Sequence, residues 1–203
     1  EHRRNRAVMD DYEPGSTLKS ITACAALQER AITPSSRFGC SGTYPIGRRR
    51  IRCVLHGPYK NGHGSQTIRE ILRESCNIGT AQVAMRLGSK KLYRYIADFG
   101  FIGDTRCGLL GEKRGWLDPP SGWAQIKLAN VGFGQGISVT PLQVVTAYAA
   151  IANGGKLMKP YMIRRIEDGA GNVTQEYHPR VVRQVISPET AAIVTSCLQV
   201  VVE

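Results

Sequence analysis

Apolar and polar positions divide this chain into helical stretches separated by glycine- and proline-marked breaks. Leu18, Ile21, Thr22, Ala25 and Ala26 recur at the three-and-four spacing of a core-facing helix, directly after Pro14-Gly15 and Ser16. Ser65 predicts the cap of a second helix through Glu74. Ile78 to Leu87 predicts a third, ended by Gly88, and Ser89 opens a fourth through Phe99, stopped by Gly100. Thr140-Pro141-Leu142-Gln143 reads as a capping box with proline at the first helical position, starting a helix to Ala152 that breaks at Asn153-Gly154-Gly155. Between Met158 and Glu176 a hairpin is expected, turning at Asp168-Gly169-Ala170-Gly171-Asn172, and Ser187-Pro188-Glu189 caps a last helix. Helices prevail and strands come late. The pattern predicts an α/β (α+β) domain, rich in helix, with an incomplete antiparallel sheet.

Composition narrows this picture little. The chain has 203 residues, 42% hydrophobic and 21% charged, which excludes a disordered polymer and allows a real core. No linker splits it, so residues 1–203 are expected to form one partial domain. The net charge of +11 is more informative, with its densest patch at Arg48-Arg49-Arg50 and Arg52. A basic face can meet nucleic acid, anionic membrane or an acidic polymer. No aromatic-plus-basic pattern of a nucleic-acid module accompanies the patch, so a solvated surface is expected and no nucleic-acid partner. No apolar run reaches the roughly 18–20 residues that span a bilayer. The chain lacks an initiating Met and stops within the apolar stretch Val200-Val201-Val202-Glu203, so a longer parent protein is expected.

Ser16-Thr17-Leu18-Lys19 is an S-x-x-K motif at a predicted helix start. The spacing puts Lys19 one turn from Ser16 on the same face, and a helix N-terminus favours negative charge developing at the serine. Serine needs a base to become a nucleophile, and Lys19 can be that base only when neutral. Its reference pKa of about 10.4 must then fall by roughly three units. Ser75-Cys76-Asn77 occupies a predicted tight turn between helices, where Ser75 and Asn77 read equally well as a cap and a turn residue. S-x-x-K with an S-x-N element belongs to the motif set of penicillin-binding proteins and serine β-lactamases.

The surrounding residues decide between these readings. Tyr12-Glu13-Pro14-Gly15-Ser16-Thr17-Leu18-Lys19 closely resembles the nucleophile segment of class B penicillin-binding proteins, and Glu74-Ser75-Cys76-Asn77-Ile78-Gly79 is similar to their second motif. Asp98-Phe99-Gly100-Phe101, Gly111-Glu112 with Gly115, and the stretch from Gly134 through Gln143 on to Gly155 resemble further family segments in the same order. The resemblance implies the penicillin-binding-protein and serine β-lactamase-like transpeptidase fold. It implies a serine acyl-transferase that cross-links peptidoglycan stem peptides for elongation or division. Ser16 would be the nucleophile, Lys19 its base, Ser75 a proton relay and Asn77 a ligand of the substrate amide. Implied partners are the stem peptide, β-lactams, and a membrane glycosyltransferase within a wall-synthesis complex. The implied location is the extracytoplasmic face of the cell membrane, reached through an N-terminal anchor. No Lys-Thr-Gly or Lys-Ser-Gly occurs between Glu1 and Glu203. The chain is therefore expected to stop before the third family motif and to be inactive alone. Two alternatives stay open: a serine β-lactamase, and a non-catalytic penicillin-sensing or scaffold domain.

Six cysteines are present without a CxxC pair. Cys40, Cys53, His63 and Cys76 follow the spacing C-x12-C-x9-H-x12-C, and three thiolates with one imidazole make a closed zinc set. Asn61-Gly62-His63-Gly64 also resembles elongation-type class B members, some of which carry a metal here. A structural zinc beside the active site is therefore expected. A Cys40–Cys53 disulfide, or His56 in place of His63, are the competing arrangements.

Overall fold

The computed structural model describes residues 4–55 and 61–202. The chain enters through a short helix α1 (Arg6–Met9) and a three-residue 3-10 turn (Gly15–Thr17) that runs directly into α2 (Leu18–Gln28). Every residue of α2 from Leu18 to Leu27 is buried. A helix buried on all sides is the centre of a fold rather than its wall. Its polar members are satisfied in place: the Thr22 hydroxyl donates to the Gly132 carbonyl at 2.7 Å, and the Ser20 and Tyr148 hydroxyls pair at 3.0 Å.

Six helices surround it: α3 (Ile68–Arg73), α4 (Asn77–Leu87), α5 (Ser89–Asp98), α6 (Gln125–Gly132), α7 (Pro141–Ala152) and α8 (Pro188–Val202). α3, α4, α5, α6 and α8 pack along α2, and α7 reaches it through the Tyr148 hydroxyl, while α4 also packs on α6, and α8 on both α3 and α7. Phe99, Phe101, Ile78, Ile96 and Ile137 are fully buried between them.

The strands are β1 (Phe38–Cys40), β2 (Thr43–Ile46), β3 (Arg49–Arg52), β4 (Gly64–Gln66), β5 (Lys156–Met158), β6 (Arg165–Glu167), β7 (Val173–Glu176) and β8 (Val181–Gln184). Among the described residues they form four separate antiparallel pairs: β1 with β4, β2 with β3, β5 with β8, and β6 with β7. The late hairpin is β6–β7, its turn held by the Asp168 carboxylate, which accepts the N–H groups of Ala170 and Asn172 at 2.9 Å each.

One expectation needs revision. Ser65 does not cap a helix, because its backbone is paired with Gly39 in the β1–β4 ladder. The cap is Thr67, whose N–H donates to the Glu70 carboxylate at 2.6 Å and whose hydroxyl donates to it at 2.9 Å. The early ladders and α6 were not anticipated, since their partners lie far apart in sequence or their apolar runs are short. The Thr140 box forms as expected, with the Gln143 side chain accepting the Thr140 N–H at 2.8 Å. The Gln143 amide then donates to the carbonyls of Gly100 and Gly103 at 3.0 and 2.8 Å.

The segment after α6 is brought beside the nucleophile turn. Tyr12 and Val139 exchange both backbone hydrogen bonds, at 2.9 and 3.0 Å. The Gly15 N–H donates to the Gly134 carbonyl at 3.0 Å, and the Gly136 N–H to the Glu13 carboxylate at 2.8 Å. A Cβ at Gly134 would lie 1.9 Å from the Gly15 carbonyl oxygen, so only glycine permits this approach.

Candidate active site and metal cluster

Ser16 sits exposed in the 3-10 turn, and Lys19 lies one turn into α2, almost wholly buried. Ser75 arrives from the turn between α3 and α4. Its φ of +51° is left-handed, an uncommon conformation for a residue with a side chain. The turn is held by the Ser75 N–H donating to Leu72 O at 3.2 Å and the Cys76 N–H donating to Ile71 O at 2.9 Å. So placed, Ser75 stands between the other two. Its Oγ is 2.9 Å from Ser16 Oγ and 2.8 Å from Lys19 Nζ, and Lys19 also donates to the Ser75 carbonyl. No hydrogen bond joins Lys19 directly to Ser16 among the described residues; the expected direct reach from base to nucleophile is replaced by a three-membered chain. Burial lowers the Lys19 pKa from its ordinary value to about 8, while the nearby Cys53 and Cys76 thiols oppose the fall. A lysine so perturbed has an appreciable neutral fraction near neutral pH, as a proton acceptor requires.

Asn77 begins α4 beside this chain, and its amide donates to the Arg52 carbonyl at 3.5 Å. It opens onto a cleft of about 320 Å³ whose wall is strand β3. Tyr148 was not anticipated. Its hydroxyl donates to the Thr17 carbonyl at 2.8 Å and meets Ser20, bracing the turn that carries Ser16. Its position in a run of alanines gives no local signal of this contact.

Behind the serine relay, Cys40, Cys53, His63 and Cys76 converge, with their candidate ligand atoms all within 4.8 Å of one another. His63 Nδ1 is 3.5 Å from both the Cys40 and Cys53 sulfurs, and the Cys53 and Cys76 sulfurs are 3.6 Å apart. Ligands about 2.0–2.3 Å from one tetrahedral ion would be separated by similar distances, so the donor set fits zinc in both chemistry and size. All six cysteines are free thiols, including Cys40 and Cys53. His56, the other candidate imidazole, lies outside the described residues. Cys76 also accepts the Gly79 N–H at 3.3 Å, so it caps α4. The hydrogen bond between Cys76 and Cys53 lowers the Cys53 pKa and raises that of Cys76.

Comparison with known proteins identifies the family and the fold. Residues 2–203 match the family model described as the penicillin binding protein transpeptidase domain. Stage V sporulation protein D of Bacillus subtilis is 39% identical over 203 residues, covering 99% of this chain and 31% of that protein. Peptidoglycan D,D-transpeptidase FtsI of Escherichia coli is 31% identical over 167 residues, 82% of this chain and 27% of that protein. The chain thus spans about a third of the length of the curated relatives it matches. Penicillin-binding protein 3 of Mycobacterium tuberculosis, solved in complex with aztreonam, superposes with a TM-score of 0.87 at 31% identity, covering 98% of this chain and 43% of that one. Helix-dominated and strand-poor, with S-x-x-K and S-x-N joined through their serines, the chain belongs to the penicillin-binding protein transpeptidase family.

Proposed function

We propose that this chain carries the nucleophile half of a peptidoglycan D,D-transpeptidase site. The observation that supports it most directly is the unbroken Ser16–Ser75–Lys19 hydrogen-bond chain, with distances of 2.9 and 2.8 Å. Hydroxyl hydrogens rotate, so the same heavy-atom geometry serves proton flow in either direction. In acylation, Ser16 Oγ attacks the carbonyl carbon of the penultimate D-alanine, and its proton passes through Ser75 to neutral Lys19. The terminal D-alanine leaves as an amine that takes a proton back by the same route. An amine from a neighbouring stem then attacks the ester and frees Ser16. The Ser16 N–H would donate to the oxyanion, and Asn77 would hold the substrate amide. β-Lactams would acylate the same serine. The substrate lies outside the cytoplasm, so the parent protein works on the extracytoplasmic face of the membrane, alongside a glycosyltransferase that supplies glycan strands.

Cys40, Cys53, His63 and Cys76 would hold a zinc ion whose contribution is structural: a closed four-ligand cross-link behind the Ser75 turn, with no position left for substrate. The test of the acyl-transfer reading is labelling with a fluorescent penicillin in the protein as the cell makes it. A stable band that Ser16→Ala abolishes is expected. Labelling that survives the substitution overturns the reading, and rapid release of penicilloic acid favours a β-lactamase instead.

A further inference from the structure

Away from the serine relay, a second cleft of about 580 Å³ lies between the loop at 102–106 and strand β8. Five basic residues border it (Arg106, Arg114, Lys159, Arg180 and Arg183) against one acidic residue, Asp104. Ion pairs locate two of the guanidiniums. Arg106 Nε is 3.5 Å from one Asp104 oxygen and Arg114 Nε is 3.6 Å from the other, so both head groups flank this carboxylate. One carboxylate cannot neutralise two guanidiniums, and neither contact is as short as a good hydrogen bond. Both arginine side chains are more than three-quarters exposed, which leaves their other N–H donors open to a ligand. Arg183 is paired with Asp98 at 3.2 Å. Lys159, although half-buried, and Arg180 have no ion-pair partner among the described residues. The backbone holds these two side by side, the Lys159 N–H donating to the Arg180 carbonyl at 2.9 Å. Glu112, the other acid at the loop, accepts the N–H groups of Thr105 and Arg106 at 2.6 and 3.1 Å and so is engaged by the backbone. Thr105 adds an independent observation. It borders the cleft, and its hydroxyl oxygen is buried with no hydrogen-bond partner among the described residues. Native proteins rarely leave a buried hydroxyl unpaired without a use for it.

We infer that this cleft binds a phosphate group, at a site that shares no residue with the serine relay or the Cys/His cluster. The inference does not depend on the acyl-transfer reading. Phosphate is tetrahedral and multiply charged, so two guanidinium forks and a hydroxyl can each meet a different oxygen. A carboxylate offers two oxygens and a single charge, and Asp104 already fills that role between Arg106 and Arg114. Asp104 thereby holds the two forks beside each other and leaves one of their charges unneutralised. Lys159 and Arg180 need not touch the ligand: bordering the same cleft, they raise the potential that draws an anion into it. The Thr105 hydroxyl donates to a phosphate oxygen and gains the partner it lacks in the protein. A lipid head group and a soluble phosphate both present this chemistry, and the experiment separates them.

The experiment is calorimetric titration of the protein as the cell makes it, held in neutral detergent, with inorganic phosphate as the probe and acetate as the carboxylate control. Saturable binding of one phosphate per chain is expected, about tenfold tighter than acetate and weakening as salt rises. Arg106→Gln and Arg114→Gln should each weaken it about tenfold, the scale of one charge-assisted hydrogen bond. If either change lowers the melting temperature by releasing Asp104, Lys159→Gln and Arg180→Gln break no ion pair and should each weaken binding about threefold through the lost potential. Thr105→Val separates binding from folding. It removes a hydroxyl that has no partner in the protein, so the melting temperature should hold or rise while phosphate binding weakens about fivefold. A threonine with a purely structural role gives the opposite pattern, a lower melting temperature with binding unchanged, and that result counts against the inference. Displacement of radiolabelled phosphate by micelles doped with phosphatidylglycerol, but not with phosphatidylcholine, supports a site for a lipid head group. Phosphate retained in the presence of both supports a site for a soluble phosphate. Acetate binding as tightly as phosphate, no saturable phosphate binding, or binding that survives all four charge changes overturns the inference.

Discussion

Lys19 is buried by the same packing that makes α2 the centre of the molecule, and its one outlet to Ser16 runs through Ser75. Ser75 should therefore matter to acylation as much as the lysine does. Ser75→Gly separates chemistry from folding, because glycine removes the hydroxyl and suits the left-handed φ of +51°. The melting temperature should hold or rise while the penicillin acylation rate falls by about 10²–10⁴, the usual range for lost proton transfer. Stopped-flow acylation beside a thermal melt checks both. A second expectation follows from the Lys19 pKa of about 8. The neutral amine is the active form, so acylation should rise with pH and level off above about 8, and Lys19→Arg should abolish the limb. For stability the sign is the same: the unfolded chain binds this proton more tightly. Lys19 therefore opposes folding below about 8, and stability from this group rises with pH between about 8 and its unfolded value.

At the scale of elements, the nucleophile turn is positioned by close backbone contact as well as by the Tyr148 brace. Gly134→Ala should push Gly15 away, since a Cβ there meets the Gly15 carbonyl at 1.9 Å. Acylation is expected to drop at least tenfold with an unchanged labelling site, read by mass spectrometry of the adduct. Far from the site, Glu29 at the end of α2 accepts hydrogen bonds or salt bridges from Lys91, Arg94 and Tyr95 on α5. Those bonds, led by that of Lys91, hold its pKa down to about 2. Its stabilisation is complete above the ordinary carboxylate range and is lost as pH falls toward about 2. Discounted for solvent screening, Glu29→Gln should cost about 1 kcal/mol, or about 2–4 °C of melting temperature. The elements that sequence revealed are those whose signals are local. The Thr140 box and the Asp168–Asn172 turn each close within five residues, and both are found where expected. The ladders β1–β4 and β5–β8 are three or four residues long and join segments more than twenty residues apart, so no local pattern records them. Ser65 misled because a serine before an apolar run looks like a cap, whereas long-range pairing with Gly39 had already claimed its backbone. Ser16, Lys19, Ser75 and Asn77 stand out in the sequence through resemblance to family motifs, since Ser75 and Asn77 alone read equally well as a cap and a turn residue. The order of hydrogen bonds that joins Ser16, Ser75 and Lys19 was not legible, because it depends on one left-handed turn.

Across the whole molecule, charge and cross-linking meet at the same corner. The arginines of β3 are exposed, as a solvated face requires, and they also border the cleft at Asn77, with Cys53 following them directly. The Cys/His cluster draws on four places: the end of β1, the residue after β3, the residue before β4, and the N-cap of α4. An ion there would fasten two otherwise small ladders to the turn that holds Ser75 in its strained conformation. Its loss should thus reach the catalytic relay as well as the fold. Binding to the native state alone stabilises by mass action, so a site worth at least about 2 kcal/mol implies a fall of about 5 °C or more on removal. In protein purified under reducing conditions, one zinc per chain is expected by elemental analysis. A strong chelator should lower the melting temperature and slow penicillin acylation together. Cys40→Ser should reproduce both effects, and chelator should then add little, because metal and ligand act as one unit. Chelator that leaves melting and acylation untouched, in protein shown to contain no zinc, would remove the metal from this account and leave the four side chains as a packed thiol–imidazole cluster.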